Sequence, residues 1–541
     1  MKARAAVAFA SLAASSWAMN REPPPIFFNQ PPMGFNSWAR YTTNVNETLL
    51  VETANSMARN GLLQAGYNRI NLDEGWSLPE RGINGSLVAD PDKFPTGLKW
   101  LTEYLNMTGF ISGIHADAGS MTCGKNPGSF NYEKRDVDDF MDQGFYYVKL
   151  DGCNMRDDTE ETYHDIFNRW PKVIRQASVD RKETAIMALS SSAPAYFAYR
   201  RNLTDWYRAV AWASEYSQLA RHSADVATYG DGSAWKSIMH SFDQSLRLGH
   251  FQRPGFYLDP DVLLPDHPSL SLEERKTQFA LWCSMSSPLL FSADVPRLDP
   301  DTLAFLTNKD LIAADQDDLA QPATLVSRDS NWDVLAKNLE NEERLITVFN
   351  RGDTFASLNV SWFRTGITPK LTGNGNVRVT DLWTGEVSFL PVYLRFLNVT
   401  NVPPHGTAVY RLRSASVITP TGHIYNANTF NCLTDDPSGY VRWAVCNGYD
   451  SQVWRVRSDG HIYSLLRPRD CLVELEGTVV TRKNSCHHHP WTYKTSGNLV
   501  NNVSGKCLTE GADGSVTTEG CGYLLNEQIF VLPAGIELGG W

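Results

Sequence analysis

No stretch of the 541-residue sequence is apolar for long enough to cross a bilayer: the run from Ala5 to Ala14 is too short, and no later one qualifies. No membrane partner is expected. An excess of positive charge is also missing. With 49 Lys and Arg against 60 Asp and Glu the net charge is −11, and nothing forms the basic face that phosphate binding needs, so nucleic acid is excluded as a partner. Cys-x-x-Cys pairs with histidine at metal spacing are absent, which argues against zinc. The one histidine run, His487-His488-His489, places adjacent side chains in different directions and reads as a surface turn. No metal and no cofactor are expected. What the chain has in quantity is aromatic surface, 11% of residues with 16 Trp among them, the flat apolar side chains that stack on sugar rings. Its length exceeds what one core supports, so two or three domains follow.

The N-terminus, Met1 to Arg4, then the apolar run and Ser16-Trp17-Ala18, has the layout of a secretory signal over residues 1–18. Sequons at Asn46, Asn84, Asn106, Asn202, Asn359, Asn398 and Asn502 agree with a secreted, extracellular glycoprotein. Nine cysteines in an oxidising compartment make disulfides the default, and six of them lie beyond residue 430.

From Met33 the chain alternates strand-like and helical segments. Met33 to Trp38, Tyr67 to Asp73, Ile111 to Asp117, Phe145 to Asp151, Thr184 to Ser190, Val210 to Ser214, Gly255 to Leu258 and Ser286 to Phe291 are the expected strands, giving a (β/α)8 TIM barrel over residues 30–312. Short alternating runs over residues 318–413 predict an antiparallel β-sandwich. Over residues 418–535 the chain repeats itself three times, with Gly422-His423-Ile424-Tyr425, Gly460-His461-Ile462-Tyr463 and Gly497-Asn498-Leu499-Val500 as corresponding segments. Each repeat has a cysteine pair, Cys432 with Cys446, Cys471 with Cys486 and Cys507 with Cys521, for which internal disulfides are the simplest reading. The module resembles a ricin-B-type β-trefoil lectin, with the second and third Gln-x-Trp motifs altered. Glycan binding by it is one reading. A structural role is the other, because the aspartate usual two residues after the first cysteine is replaced by Thr434, Val473 and Thr509, with Asp435, Glu474 and Glu510 one position later.

Carboxylates collect at the barrel's strand ends, where such a barrel places its chemistry: Asp73 and Glu74, Asp117, Asp151, Asp225, Asp259 and Asp261. In Tyr147-Val148-Lys149-Leu150-Asp151-Gly152, Lys149 and Asp151 share one strand face, as a catalytic pair or a structural ion pair. Convergent acids suit a metal or a sugar. Interleaved Lys149 and Arg221, with Trp38, Trp76, Trp212 and Tyr147 available for an apolar wall, favour a sugar.

Met33-Gly34-Phe35-Asn36-Ser37-Trp38, Leu72-Asp73-Glu74, Gly113-Ile114-His115-Ala116-Asp117, Thr122-Cys123, Pro127-Gly128-Ser129, Lys149-Leu150-Asp151-Gly152-Cys153 and Asp259-Pro260-Asp261 together resemble glycoside hydrolase family 27, which contains α-galactosidases and α-N-acetylgalactosaminidases. The resemblance implies a retaining exo-glycosidase acting on terminal α-galactose-type residues of oligosaccharides, glycoconjugates or polysaccharides. It makes Asp151 the nucleophile and Asp225 the acid/base, and pairs Cys123 with Cys153 in a disulfide. Trp38, Asp73, Glu74, His115, Cys123, Lys149, Ser192, Ala195, Tyr196, Arg221 and Asp261 become the substrate-binding set. Glu74 stands where the family more often has aspartate, and His115 where tyrosine is common. Ser192-Ala193-Pro194-Ala195-Tyr196 resembles the N-acetylgalactosaminidase loop, with small residues that leave room for an acetamido group, so α-N-acetylgalactosaminide is expected to enter alongside α-galactoside. A β-L-arabinopyranosidase and a catalytically weak carbohydrate-binding protein are the alternatives. Cys283, on an apolar helix-like run, is expected to be a buried free thiol.

Overall fold

The computed structural model describes residues 28–182, 187–199, 203–368, 375–414, 418–483, 486 and 489–539. The leader over residues 1–18, the sequon at Asn202, and His487 and His488 therefore lie outside the described residues.

Eight parallel strands curl into one sheet: β1 (Met33–Asn36), β2 (Arg69–Leu72), β3 (Ile111–Asp117), β4 (Tyr147–Asp151), β5 (Ala188–Ser191), β6 (Leu219–Arg221), β7 (Tyr257–Asp259) and β8 (Leu289–Phe291), in the order β7-β6-β5-β4-β3-β2-β1-β8. Closure comes just past β7, where Leu263 pairs in parallel with Phe291. Helices between the strands cover the outside, completing a TIM barrel. The register sets Asp117 beside Asp151 and His115 beside Lys149, so two carboxylates end adjacent strands at the same height.

The segment expected as the sixth strand, Val210 to Ser214, is instead inside the helix Thr204–Tyr216, and the strand is the three-residue Leu219–Arg221. The six consecutive residues Ala209 to Ser214 are all buried, so between the exposed Arg208 and Glu215 no exposed position reveals the helical period. Trp212 and Tyr147 are likewise not wall residues. The Trp212 indole is buried and donates to Glu160 Oε1 at 2.5 Å, and Tyr147 packs in a cluster with Phe28, Leu219, Tyr257 and Ala320, all near the starts of their strands or outside the sheet. Trp76 is 4% exposed, its Nε1 fixed on the His115 carbonyl at 3.1 Å.

Behind the barrel lie β9 (Thr324–Arg328), β10 (Trp332–Leu339), β11 (Glu343–Asn350), β12 (Ala356–Ser361), β13 (Asn376–Asp381), β14 (Val387–Pro391), β15 (Phe396–Val402) and β16 (Thr407–Arg413). They form a six-stranded sheet and the β12·β15 pair, packed face to face as a sandwich. Its link to the barrel is partly polar: the buried Lys337 ammonium donates to the Cys283 carbonyl at 3.0 Å and to Ser286 Oγ at 2.6 Å. Cys283 is a buried free cysteine.

The last module is a β-trefoil of short antiparallel strands, with disulfides Cys432–Cys446, Cys471–Cys486 and Cys507–Cys521. Its internal repetition extends to hydrogen bonds. Gln452 Nε2 donates to Thr434 Oγ1 at 3.0 Å and Gln528 Nε2 to Thr509 Oγ1 at 3.0 Å, while the Trp454 and Trp491 indoles donate to the Leu433 and Leu472 carbonyls. The trefoil is bound to the barrel through Tyr425 Oη on the Leu246 carbonyl at 2.6 Å and Arg247 on the Ala427 carbonyl at 2.8 Å.

Candidate active site

A cavity of about 270 Å³ opens at the ends of β4, β5 and β6, lined by Cys123, Asp151, Cys153, Ser192, Ala195, Tyr196, Arg221, Ala224 and Asp225. That is space for one hexose ring rather than a long chain. Asp151 ends β4 and Asp225 lies on the loop after β6, so the two expected catalytic carboxylates share one cavity.

Asp151 is held from three sides. His115 Nε2 lies 3.4 Å from Oδ2, Lys149 Nζ 3.8 Å from the same oxygen, and Tyr196 Oη donates to Oδ1 at 2.9 Å. Burial alone would raise this carboxyl, but the His115 hydrogen bond, the Lys149 charge and the Tyr196 hydroxyl hold it well below the usual carboxylate range. It is ionised at any ordinary pH, as an attacking group must be. The same contacts act on the partners: burial pulls Lys149 down, yet Asp73 and Asp151 carry it upward overall, and His115, despite its burial, is raised by the Asp151 bond.

Gly152 follows because no side chain fits. A Cβ there would stand 2.9 Å from the Tyr163 ring and 3.2 Å from the Tyr196 ring. Tyr196 Oη also accepts from Gly152 N at 3.2 Å, and Tyr163 Oη donates to the Gly152 carbonyl at 2.9 Å. The disulfide Cys123–Cys153 ties this turn to the loop after β3. Asp117 completes the seat, accepting from Gly119 N at 2.8 Å and Cys153 N at 3.0 Å; burial and the neighbouring Asp151 charge push its carboxyl up to about 8.

The Asp225 carboxylate faces outward, its side chain 67% exposed, and takes Arg221 Nη2 on Oδ1 at 2.7 Å. Arg221 Nη2 also meets Asp261 Oδ2 at 3.0 Å. Asp261 has a left-handed backbone, φ 85°, held by its carbonyl on Trp282 Nε1 and by its carboxylate accepting from Val226 N and Val262 N at 2.8 Å each. Its carboxyl is raised by burial, with Arg221 opposing. Arg221 thus bridges the loops after β6 and β7.

Asp73, His115, Lys149 and Asp261 do not line the cavity but join it through these bonds, Asp73 by taking Lys149 Nζ at 2.8 and 3.1 Å and Asn36 Nδ2 at 2.8 Å. Glu74 turns away: its Oε1 accepts from Gly124 N at 2.7 Å, and it lines a small neighbouring cleft with Trp76, His115 and Asp117. Trp38, half-buried, starts the helical turn after β1 and is not a lining residue. Sequence reasoning passed over Asn36, Ser37, whose Oγ accepts from Asp73 N at 3.0 Å, and Tyr163. Asn36 and Ser37 lie within a quoted motif; Tyr163 carried no signal, being one aromatic of an amphipathic helix. Among the described residues two His/Cys/Asp groups have metal-like spacing, Asp117 with Cys123 and Cys153, and His423 with Cys432 and Cys446. Each is built on a disulfide, which offers no thiolate ligand.

In the trefoil, the acidic residues that could replace the usual aspartate are engaged. Asp435 is buried against Arg467 and Thr481, Glu510 accepts from Asn431 Nδ2 at 2.8 Å and Thr429 Oγ1 at 2.9 Å, and Glu474 Oε1 accepts from Gly477 N at 2.9 Å.

Comparison with known proteins agrees with this layout. The family model "Alpha galactosidase A" matches residues 30–317, "Alpha galactosidase C-terminal beta sandwich domain" residues 329–412, and "Ricin-type beta-trefoil lectin domain" residues 420–530. The chain is 42% identical to Alpha-galactosidase A of Aspergillus niger, over 98% of this chain and 96% of that one. It is 31% identical to Alpha-galactosidase 2 of Arabidopsis thaliana, over 71% and 89% of the two chains. The crystal structure of alpha-galactosidase I from Mortierella vinacea shares the fold at a TM-score of 0.63 and 24% identity, covering 72% of this chain and 98% of that one.

Proposed function

The chain belongs to the alpha-galactosidase family, and from that membership we propose that it is a secreted exo-acting α-galactosidase working by double displacement with retention. The observation that carries the reading is one hexose-sized cavity holding an ionised, three-times-anchored Asp151 and an outward-facing Asp225. In the first step Asp151 attacks the anomeric carbon of the terminal galactose while Asp225 protonates the leaving oxygen. In the second, Asp225 takes a proton from water, which attacks the same carbon and releases Asp151. His115, Lys149 and Tyr196 hold Asp151 in its attacking position, and Arg221 sets Asp225 against Asp261. Of the expected hydroxyl-binding residues Arg221 lines the cavity and meets the sugar directly, while Asp73, Lys149 and Asp261 act behind it through their bonds to one another, to Asp151 and to Arg221.

A second preference follows from Ser192 and Ala195. Ser192 Oγ is buried without a hydrogen-bond partner among the described residues, on a cavity wall where Ala195 presents only a methyl. Two small side chains on that wall leave room for an acetamido group, which supports turnover of α-N-acetylgalactosaminides as well. The arabinopyranoside alternative has less support, since the β-L-arabinopyranosidase of Geobacillus stearothermophilus shares the fold at only 20% identity. In the trefoil the candidate acidic residues are spent on internal bonds, which supports a structural role over sugar capture. The deciding experiment is kcat/KM on the p-nitrophenyl α-galactoside, α-N-acetylgalactosaminide and β-L-arabinopyranoside. Activity on the first is required, activity on the second supports the loop reading, and dominance of the third overturns the proposal.

A further inference from the structure

The β12·β15 pair buries one face and presents the other to solvent. Leu397, Val399 and Val360 point into the sandwich at 2% exposure or less, so the alternate residues, Phe396, Asn398 and Thr400 on β15 and Ser357, Asn359 and Ser361 on β12, lie on the outer face. That face is polar except for Phe396, whose ring is 45% exposed. Phe396, Asn398 and Thr400 are therefore a ring, an acceptor asparagine and the threonine of its sequon in one row on one surface. Two strand residues span about 6.7 Å, within reach of a sugar attached to the asparagine amide. Asn398 is also directly opposite Asn359 in the register, and Phe396 opposite Ser361. Directly opposite side chains start about 5 Å apart, too close for two branched glycans to project side by side. On its own strand Asn359 has only Ser357 and Ser361 as same-face neighbours.

We propose that Asn398 is the modified member of this pair and that the first N-acetylglucosamine of its glycan lies with its apolar face on the Phe396 ring. The new bond joins Asn398 Nδ2 to the anomeric carbon of that sugar. It replaces the carbon–oxygen bond to the pyrophosphate of a lipid-linked oligosaccharide donor, with lipid pyrophosphate leaving and one amide proton lost. The glycan then covers the large exposed apolar group that lies within the outer face of the pair, as exposed aromatics are covered at interfaces. This rests on the secretory route proposed above.

The test uses the full chain secreted from a eukaryotic host. Glycopeptide mass spectrometry should find glycan on Asn398 and bare Asn359. Thermal unfolding is then compared after trimming to a single N-acetylglucosamine and after complete removal, for the parent chain, Phe396→Ser and Asn398→Gln. Trimming should leave the parent's Tm in place, complete removal should lower it by roughly 2 °C more than in either variant, and both exposed-site variants should secrete and turn over substrate normally. Bare Asn398 beside other occupied sequons overturns the assignment, and an equal loss in Phe396→Ser overturns the packing. Absence of glycan from every sequon overturns the secretory reading and this inference with it.

Discussion

Lys149→Met separates an organised nucleophile from a structural ion pair. The Lys149 side chain is 13% exposed and its ammonium serves two carboxylates, Asp73 at 2.8 Å and Asp151 at 3.8 Å. Deleting one partner of a buried pair costs about 3–5 kcal/mol because the other charge is left uncompensated. Asp73 keeps Asn36, and Asp151 keeps His115 and Tyr196, so the lower end, about 3 kcal/mol at neutral pH, is expected. Both carboxyls are held below their ordinary values, with burial opposing and Lys149 among the groups that hold them down. A depressed carboxyl contributes stability that is present above its unfolded value, about 4, and is lost as pH falls through the folded one. Without Lys149 the depression shrinks, protonation starts at higher pH, and the stability gap between variant and parent narrows toward acid. The acid limb of kcat/KM on an aryl α-galactoside should move to higher pH in step. Urea unfolding and pH–rate profiles from about pH 3 to about pH 7 read both effects. An unmoved acid limb with unchanged stability would refute the reasoning.

Asp225→Asn should lower kcat on a galactosyl-sugar substrate by about 10²–10⁴, the usual worth of general acid catalysis, and spare the first step on activated aryl galactosides, measured as a burst. Ala195→Met should cut kcat/KM on the aryl α-N-acetylgalactosaminide about 10- to 200-fold more than on the galactoside, since Ala195 lines the cavity wall; an unchanged ratio removes the case for the loop as selector. Gln452→Ala deletes bonds to Thr434, the Val445 carbonyl and Asn447 N, for about 2–3 kcal/mol of trefoil stability, with kcat/KM on a soluble aryl galactoside unchanged.

The barrel was legible because its buried strands end in charge. Lys149-Leu150-Asp151-Gly152 shows an apolar run, an inward carboxylate and a glycine, and in space that glycine is where two tyrosine rings leave no room for a Cβ. The sixth strand was not legible, since Leu219–Arg221 is too short to show a period and the buried helix before it offered a better apolar run. Which acids face substrate was readable only in part. Asp73 and Glu74 are adjacent in sequence, yet one meets Lys149 and the other the Gly124 amide, a difference set by a loop about fifty residues further along the chain. The trefoil's repeats and cysteine pairs were plain, while the internal ties of Asp435, Glu474 and Glu510 depend on partners that no repeat pattern marks.

The most direct test is to trap the covalent intermediate. Incubation with a fluorinated α-galactosyl fluoride, which slows the second step more than the first, followed by peptide mapping, should place one galactosyl label on Asp151 with loss of activity in proportion to labelling. A label on another carboxylate, or turnover with inversion and no label, would contradict the account.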